Sequence, residues 1–345
     1  VTLLPRPLYD ALTRADFATF VARAMQTLEP GNPYEENWHV HVVARHLEAV
    51  RLGASTRLML NMPPRCMKSL LVSVAFPLWI LGHDPTRRLM CLTYSNDIAQ
   101  AQAKLFARLS AAPWVRTVFP ELRPKSPNRL MEWETTLGGY RLAASVDGSV
   151  LGRRADIIIL DDPNKGQEIY SKVARDRVKS AYDHTISTRL NHPRRSAIIC
   201  VMQRLHADDL AGHMLQQEAW ETIRIPAAAV ETERWDLGYG LAHVREAGVL
   251  IQESRFGHAE LEKARRKNGQ DLFPSTIPAG ARRRGWGHHT SQLVALLRGT
   301  PRSIRFRARQ LGHRFHALRG FGLVGWDGMG FGKRRSSAAA RGAHA

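Results

Sequence analysis

A lysine and a serine stand together at Lys68-Ser69, after Pro63-Pro64-Arg65-Cys66-Met67 and a short apolar run over residues 57–62. A strand, a tight loop, then Lys-Ser opening a helix is the construction of a phosphate-binding loop. Backbone N–H groups and the helix N-terminus hold the phosphates, Lys68 reaches their outer oxygens, and the Ser69 hydroxyl meets Mg2+. The usual glycines are absent, and a proline turn before an ordinary surface lysine is the competing reading of this stretch. A second group follows Ile157-Ile158-Ile159-Leu160: two carboxylates, Asp161 and Asp162, then Pro163. Acids at the C-terminal end of a buried strand face the crevice where open α/β sheets bind ligands. There Asp161 would hold Mg2+ and Asp162 would orient or deprotonate a water. A solvated pair of turn acids is the alternative. A third group contains Gln203, at the end of a strand beside the same crevice, placed to sense a terminal phosphate. Asp208 and Asp209 after it read as charges at a helix N-terminus.

The elements that must position these groups follow from periodicity. Residues 8–28 place apolar side chains at helical spacing and read as one amphipathic helix, broken by Gly31, Asn32 and Pro33. A second helix is predicted over 37–50, a strand over 57–62, and a buried helix over 70–81. Then come a strand over 88–94, a helix over 96–110 and two extended runs in 131–144 around Gly138-Gly139. A strand over 155–160, a helix over 167–189, a strand over 196–202 and a helix over 207–217 complete the pattern. Within the strand over 155–160, the run at 157–160 is continuously apolar, as a strand buried on both faces must be. Strands alternating with helices predict an α/β fold with a mostly parallel sheet and helices on both faces.

The chain has 345 residues, 44% of them hydrophobic, and a net charge of +19. That composition excludes wholesale disorder. The longest apolar run, 70–82, is too short to span a bilayer and contains Pro77, so no membrane association is expected. No signal-peptide pattern opens the chain, and Cys66, Cys91 and Cys200 have neither zinc nor disulfide spacing, so a cytoplasmic location is expected. The charge is uneven. Residues 1–273 hold 36 Lys and Arg against 30 acids, whereas 274–345 hold 14 basic residues, 13 of them Arg, against Asp327 alone.

Taken as a set, these motifs resemble the large subunit of tailed-phage terminases, the motor that packages DNA into capsids. One branch of that family reads close to PPRSMKS, GFRLATS, GRGADLIIIDDP and VMQRLHEDDLAGHL. This chain reads PPRCMKS over 63–69, GYRLAAS over 139–145, GRRADIIILDDP over 152–163 and VMQRLHADDLAGHM over 201–214. The resemblance covers roughly residues 30–273 and accounts for the missing glycines, since that branch also has Met before the lysine. It implies a P-loop NTPase fold of the ASCE, RecA-like kind, binding ATP and Mg2+. Arg65, Cys66, Met67, Lys68 and Ser69 match the nucleotide loop, with Arg65 at a position proposed to act as an arginine finger. Asp161 matches the magnesium aspartate, sharing the ion with Ser69. Asp162 stands where many terminases have a glutamate, which makes it the catalytic carboxylate with a shorter reach. Gln203 lies in the motif said to couple hydrolysis to DNA movement, and Trp38-His39 resembles the segment near the adenine. The implied partners are double-stranded DNA, a terminase small subunit, a portal protein and further copies in a ring, in the cytoplasm of a bacterial host.

The family's second domain, an RNase H-like nuclease, needs several metal-binding acids, and Asp327 alone cannot supply a two-metal site. No metal-dependent DNA cleavage is therefore expected. The family's linker typically runs AQYQQ, one residue, then P, then glycines. Read one base forward, the codons of residues 274–280 permit QAQYQQ; a free position and Pro follow, and Trp286-Gly287 forces Gly. Residues 274–345 are accordingly expected to be an out-of-frame, basic, disordered tail. The expected organisation is an N-terminal helix over 1–29, an ATPase domain over 30–225, a linker over 226–273 and that tail. The expected function is ATP hydrolysis driving DNA packaging. The alternative is a non-enzymatic prophage remnant that binds nucleic acid without sequence preference through its tail.

Overall fold

The computed structural model describes residues 5–127, 129–148 and 152–254, with 257 and 259. The linker expected beyond 254, the tail expected over 274–345 and Asp327 lie outside the described residues. The chain divides into two units, Val1–Gly238 with Ala242–His288, and Tyr239–Leu241 with His289–Ala345. Of the second, only 239–241 are described. Among the described residues no helix is long and apolar enough to cross a membrane.

In the first unit, seven strands form one sheet in the order β3-β4-β2-β5-β6-β1-β7. They are β1 Arg57–Asn61, β2 Arg88–Thr93, β3 Glu132–Glu134, β4 Tyr140–Ser145, β5 Ile157–Asp161, β6 Ala197–Met202 and β7 Glu221–Arg224. Every pairing is parallel except β3 with β4. One face carries Ile157, Ile159 and Asp161 beside Leu89, Cys91 and Thr93, with Arg141, Ala143 and Ser145 beyond. It is covered by a helical stretch that contains a π-turn, Leu70–Ala75, and continues as α4 Phe76–His83, and by α5 Asn96–Ser110. The other face carries Ile158, Leu160, Met90, Ile198 and Cys200, in one core with Val178, Tyr182, Leu210 and Met214. Those four come from α7 Lys172–Ala181, a π-turn Tyr182–Ile186 and α8 Leu210–Gln217. Both faces are dry, which is why the central strands are mostly apolar on both sides rather than alternating. The Lys-Ser strand β1 and the Asp-Asp strand β5 are separated by β6 alone, in a mostly parallel sheet with helices on both faces.

The helix expected over 8–28 is two helices, α1 Arg6–Ala15 and α2 Phe17–Leu28. Asp16 divides them: its backbone is extended, and its carboxylate accepts the Thr19 N–H at 2.6 Å as the N-cap of α2. Helix α2 turns Phe17 onto α4, its ring centred 5.6 Å from Phe76 and 5.1 Å from Trp79. Helix α3, Trp38–Arg51, starts one residue later than expected because Asn37 caps it. The helix expected over 167–189 is broken at Ser171, which caps α7. The one expected from 207 begins at Leu210, where Asp209 caps α8. Three elements had no expectation in the sequence: α6 Pro113–Val118, β7, and the two-stranded sheet of β8 Glu233–Gly238 and β9 Leu241–Arg245.

His83 closes α4 inside an aromatic pocket, its ring 4.7 Å from Trp79 and 5.4 Å from Phe119, with Nε2 2.9 Å from the Arg14 carbonyl. Burial, with the Arg51 and Arg14 charges, lowers its pKa to about 4, against the raising effect of the Arg14 carbonyl. A histidine lowered on folding stabilises the fold above its unfolded pKa of 6.5 and loses that contribution as pH falls toward 4. His83→Gln keeps a donor for the Arg14 carbonyl and removes the titration. Between pH 7 and pH 4, wild type should lose about 2 kcal/mol more than this variant, after allowance for partial exposure of the ring. Urea midpoints at the two pH values test this; equal losses in both proteins would refute the assignment.

Candidate active site

The loop between β1 and the next helix carries its ligand-facing groups on a backbone that glycine normally supplies. Arg65 has φ 65° and Met67 φ 60°. Left-handed residues cost non-glycine side chains about 1–2 kcal/mol each, and such strain gathers where a loop must aim its N–H groups. The loop is held by the side chains around it. Cys66 is buried, and its thiol meets the Pro64 carbonyl at 3.7 Å. Lys68 and Ser69 open the helix, and the Leu71 N–H donates to the Met67 carbonyl at 3.0 Å. Arg65 is exposed on the turn.

Lys68 and Ser69 of the loop meet Asp161 and Asp162 of the β5 end in one crevice at the C-terminal edge of the sheet, whereas among the described residues no hydrogen bond or ion pair joins Arg65, Cys66 or Met67 to those acids. Lys68 is 6% exposed, and its Nζ lies 3.0 Å from Asp162 Oδ1 and 3.4 Å from the Met62 carbonyl. The Ser69 hydroxyl donates to Asp161 Oδ1 at 3.1 Å. Asp161 and Asp162 are neighbours with different surroundings. Asp161 belongs to the dry face of β5 and is 1% exposed. Asp162 has left the strand with φ 45°, so its carboxylate turns toward the crevice and keeps 38% of its side chain in solvent. Its own N–H donates to the Val201 carbonyl at 2.8 Å, which fixes that turn against β6.

Burial first, and the Asp162 charge second, push the Asp161 carboxyl up to about 6; the Ser73 and Ser69 hydroxyls and Lys68 oppose them. A carboxylate this costly to charge in isolation would be stabilised by a cation beside it. With the adjacent hydroxyl it offers two hard oxygens, which suits Mg2+, an ion that takes one or two protein oxygens and fills its shell with phosphate and water. Among the described residues no group of three or more His, Cys, Asp and Glu could hold a metal by itself. The residues present fit an ion that takes most of its ligands from outside the protein.

Gln203 is brought to the site by its backbone: its N–H donates to Asp162 Oδ1 at 3.1 Å. The structural reading of Asp209 is correct. Fully buried, it caps Gly212 at 2.9 Å and pairs with Arg204 Nε at 2.9 Å. Asp208 pairs with Arg175 and Lys179 on α7. His39 is buried with Nδ1 2.8 Å from the Asn37 side chain, while Trp38 is half-buried and stacks on His243 at 4.8 Å and 13°. Arg245, from the same hairpin, lies over the Trp38 ring at 5.6 Å and within electrostatic range of Cys66.

Sequence reasoning missed two partners of Asp161. The Ser73 hydroxyl and Gln102 Nε2 both donate to Oδ2 at 2.8 Å. The available signals were faint: Ser73 is a polar residue inside the apolar run 70–82, one helical turn past Ser69, and Gln102 is one of several polar residues on its helix.

The strain at Met67 yields a test. Met67→Gly relieves the left-handed backbone while loosening the unfolded chain, so stability should stay within about 1 kcal/mol of wild type. Met67→Val puts a β-branched residue where φ is 60° and should lie at least about 1–2 kcal/mol lower. Equal urea midpoints for the Val and Gly variants would show that the loop does not hold this backbone.

No protein-family model and no curated protein matches the chain. Among solved structures, the chain is similar to the large terminase of bacteriophage HK97, at 13% sequence identity and a TM-score of 0.36, over 61% of this chain and 44% of that one. The chain thus spans less than half the length of that terminase.

Proposed function

We propose that the chain is an ATPase of the terminase large-subunit kind, hydrolysing ATP to drive double-stranded DNA into capsids. The observation that carries the ATPase half is the crevice: loop lysine, loop serine and strand-end acids, far apart in sequence, stand 3.0–3.1 Å apart at the sheet's C-terminal edge. The packaging half rests on the resemblance of the four sequence motifs, and so do the small subunit, the portal and the ring of copies as partners.

In this reading Lys68 exchanges its contact with Asp162 for the outer phosphate oxygens. The loop N–H groups and the N-terminus of the helix beginning at Lys68 take up the remaining phosphate charge. Ser69 and Asp161 would hold Mg2+, which supplies charge neutralisation between the phosphates. Freed of Lys68, Asp162 keeps the Gln203 N–H and orients the attacking water from its exposed oxygen. Arg65, exposed on the turn, is free to reach charge that develops on the transferred phosphoryl group.

Two substitutions separate binding from chemistry. Lys68→Ala should abolish ATP binding measured by calorimetry. Asp162→Asn should retain binding and lower the hydrolysis rate at least about 100-fold, in the range set by removing a positioned base. Undiminished ATP binding by the Lys68 variant would overturn the loop assignment. Undiminished turnover by the Asp162 variant would move the catalytic role elsewhere.

A further inference from the structure

Asp161 uses its two oxygens differently. Oδ1 has the Ser69 hydroxyl at 3.1 Å and faces the loop. Oδ2 takes two donors, Ser73 Oγ and Gln102 Nε2, each at 2.8 Å. All three residues around Oδ2 are buried: Ser73 0%, Gln102 6% and Asp161 1% exposed. Rotating the carboxylate would strand two donors in a dry interior, which costs more than forming them gained.

The clamp has its own anchor. Arg141, on β4, is 1% exposed, and its Nη2 donates to the Ser73 carbonyl at 3.0 Å. Its guanidinium lies 5.2 Å over the Phe106 ring of α5, the helix that carries Gln102. Among the described residues its Nε and Nη1 meet no oxygen acceptor; the Cys91 thiol lies against it, in range of both Arg141 and Asp161. Asp161 lies on the same face of the sheet as Arg141, four positions further along the strands. The π-turn Leu70–Ala75 stands between them and uses one residue for both contacts, backbone to Arg141 and hydroxyl to Asp161. Single π-turns inside helices recur where a helix serves a functional site.

We infer that Ser73, Gln102 and Arg141 are positioning residues for a divalent cation at Asp161: they fix Oδ2 so that Oδ1, beside the Ser69 hydroxyl, is the oxygen presented to the metal. This rests on the nucleotide-site reading above. Partners outside the ligand shell typically change metal affinity about 10–100-fold.

The test uses the full chain and Mn2+ as the probe, followed by electron paramagnetic resonance, with and without ATP. ATP affinity in EDTA is measured in parallel, because it reads the loop and not the carboxylate. Ser73→Ala and Gln102→Met should each weaken Mn2+ binding about 10–100-fold and leave metal-free ATP affinity unchanged, and Ser73→Thr, which keeps the hydroxyl, should restore it. Arg141→Met should follow the same pattern; where it fails to fold, the Gln102 and Ser73 variants decide. Wild-type Mn2+ affinity in both Ser73→Ala and Gln102→Met would overturn the inference. If wild type binds Mn2+ without ATP, loses it in Asp161→Asn and never binds ATP, the nucleotide reading fails while the clamp is still tested by Ser73 and Gln102. Absence of any Asp161-dependent Mn2+ binding would overturn both.

Discussion

The site depends on one unfavourable placement: a carboxylate, Asp161, fully buried at the end of a central strand. Burying such a group costs several kcal/mol unless donors or an opposite charge offset it. Here the offset comes from three directions. The loop helix supplies Ser69 and Ser73, α5 supplies Gln102, and Lys68 adds a positive charge. Elements that are distant in sequence are thus tied to one point. The helix after the loop must pass close enough to β5 for two of its hydroxyls to reach one carboxylate, and α5 must lie beside it at a fixed rotation. The apolar packing of Phe17, Phe76 and Trp79 on the outer side of α4 holds that helix down.

A second constraint lies across the crevice. Asp162 is the next residue, yet it has the opposite exposure because the chain turns left-handed there, at φ 45°. Asp, with a short polar side chain, tolerates that region better than most residues. The adjacent carboxylates are therefore divided between a dry, clamped position suited to holding a cation and a wet position suited to handling water. A glutamate at 162 would reach further into the crevice from the same backbone. The aspartate relies instead on the tight turn fixed by the Val201 carbonyl and the Gln203 N–H.

Much of this was legible in the sequence for a physical reason. Strands buried on both faces must be continuously apolar, so β1, β2, β5 and β6 announced themselves, and the acids that break the run at β5 marked the sheet's edge. The loop was legible through Lys68-Ser69 despite the missing glycines. Its left-handed residues were not, because nothing in Arg65 or Met67 as residue types asks for that backbone. Asp16 was hidden inside a helical pattern that continues on both sides of it; only the cap contact shows that it ends one helix and starts another. The β8–β9 hairpin escaped because exposed, charge-rich strands such as 233–238 lack both the apolar run and the clean alternation. Ser73, Gln102 and Arg141 escaped for a different reason: each is a single polar residue in an element whose apolar pattern already explains it, and only three-dimensional convergence gives it a role.

The loop after β6 shows how the wet carboxylate is kept in register with the dry one. Gln203 meets Asp162 through a backbone N–H, so the contact is as exact as the path of the chain from 203 to 209. That path is pinned by Asp209, whose buried carboxylate takes donors from Arg204 Nε, the Leu205 N–H at 3.3 Å and the Gly212 N–H. Asp209 therefore does after β6 what Ser73 and Gln102 do at β5: it fixes the position of a group that meets a crevice carboxylate. The helix α8 that it caps packs on the opposite face of the sheet from α4 and α5. Asp161 is braced from the layer of the loop helix, whereas Asp162 is held from both sides, by Lys68 of the loop helix and by the Gln203 N–H of the segment that leads to α8.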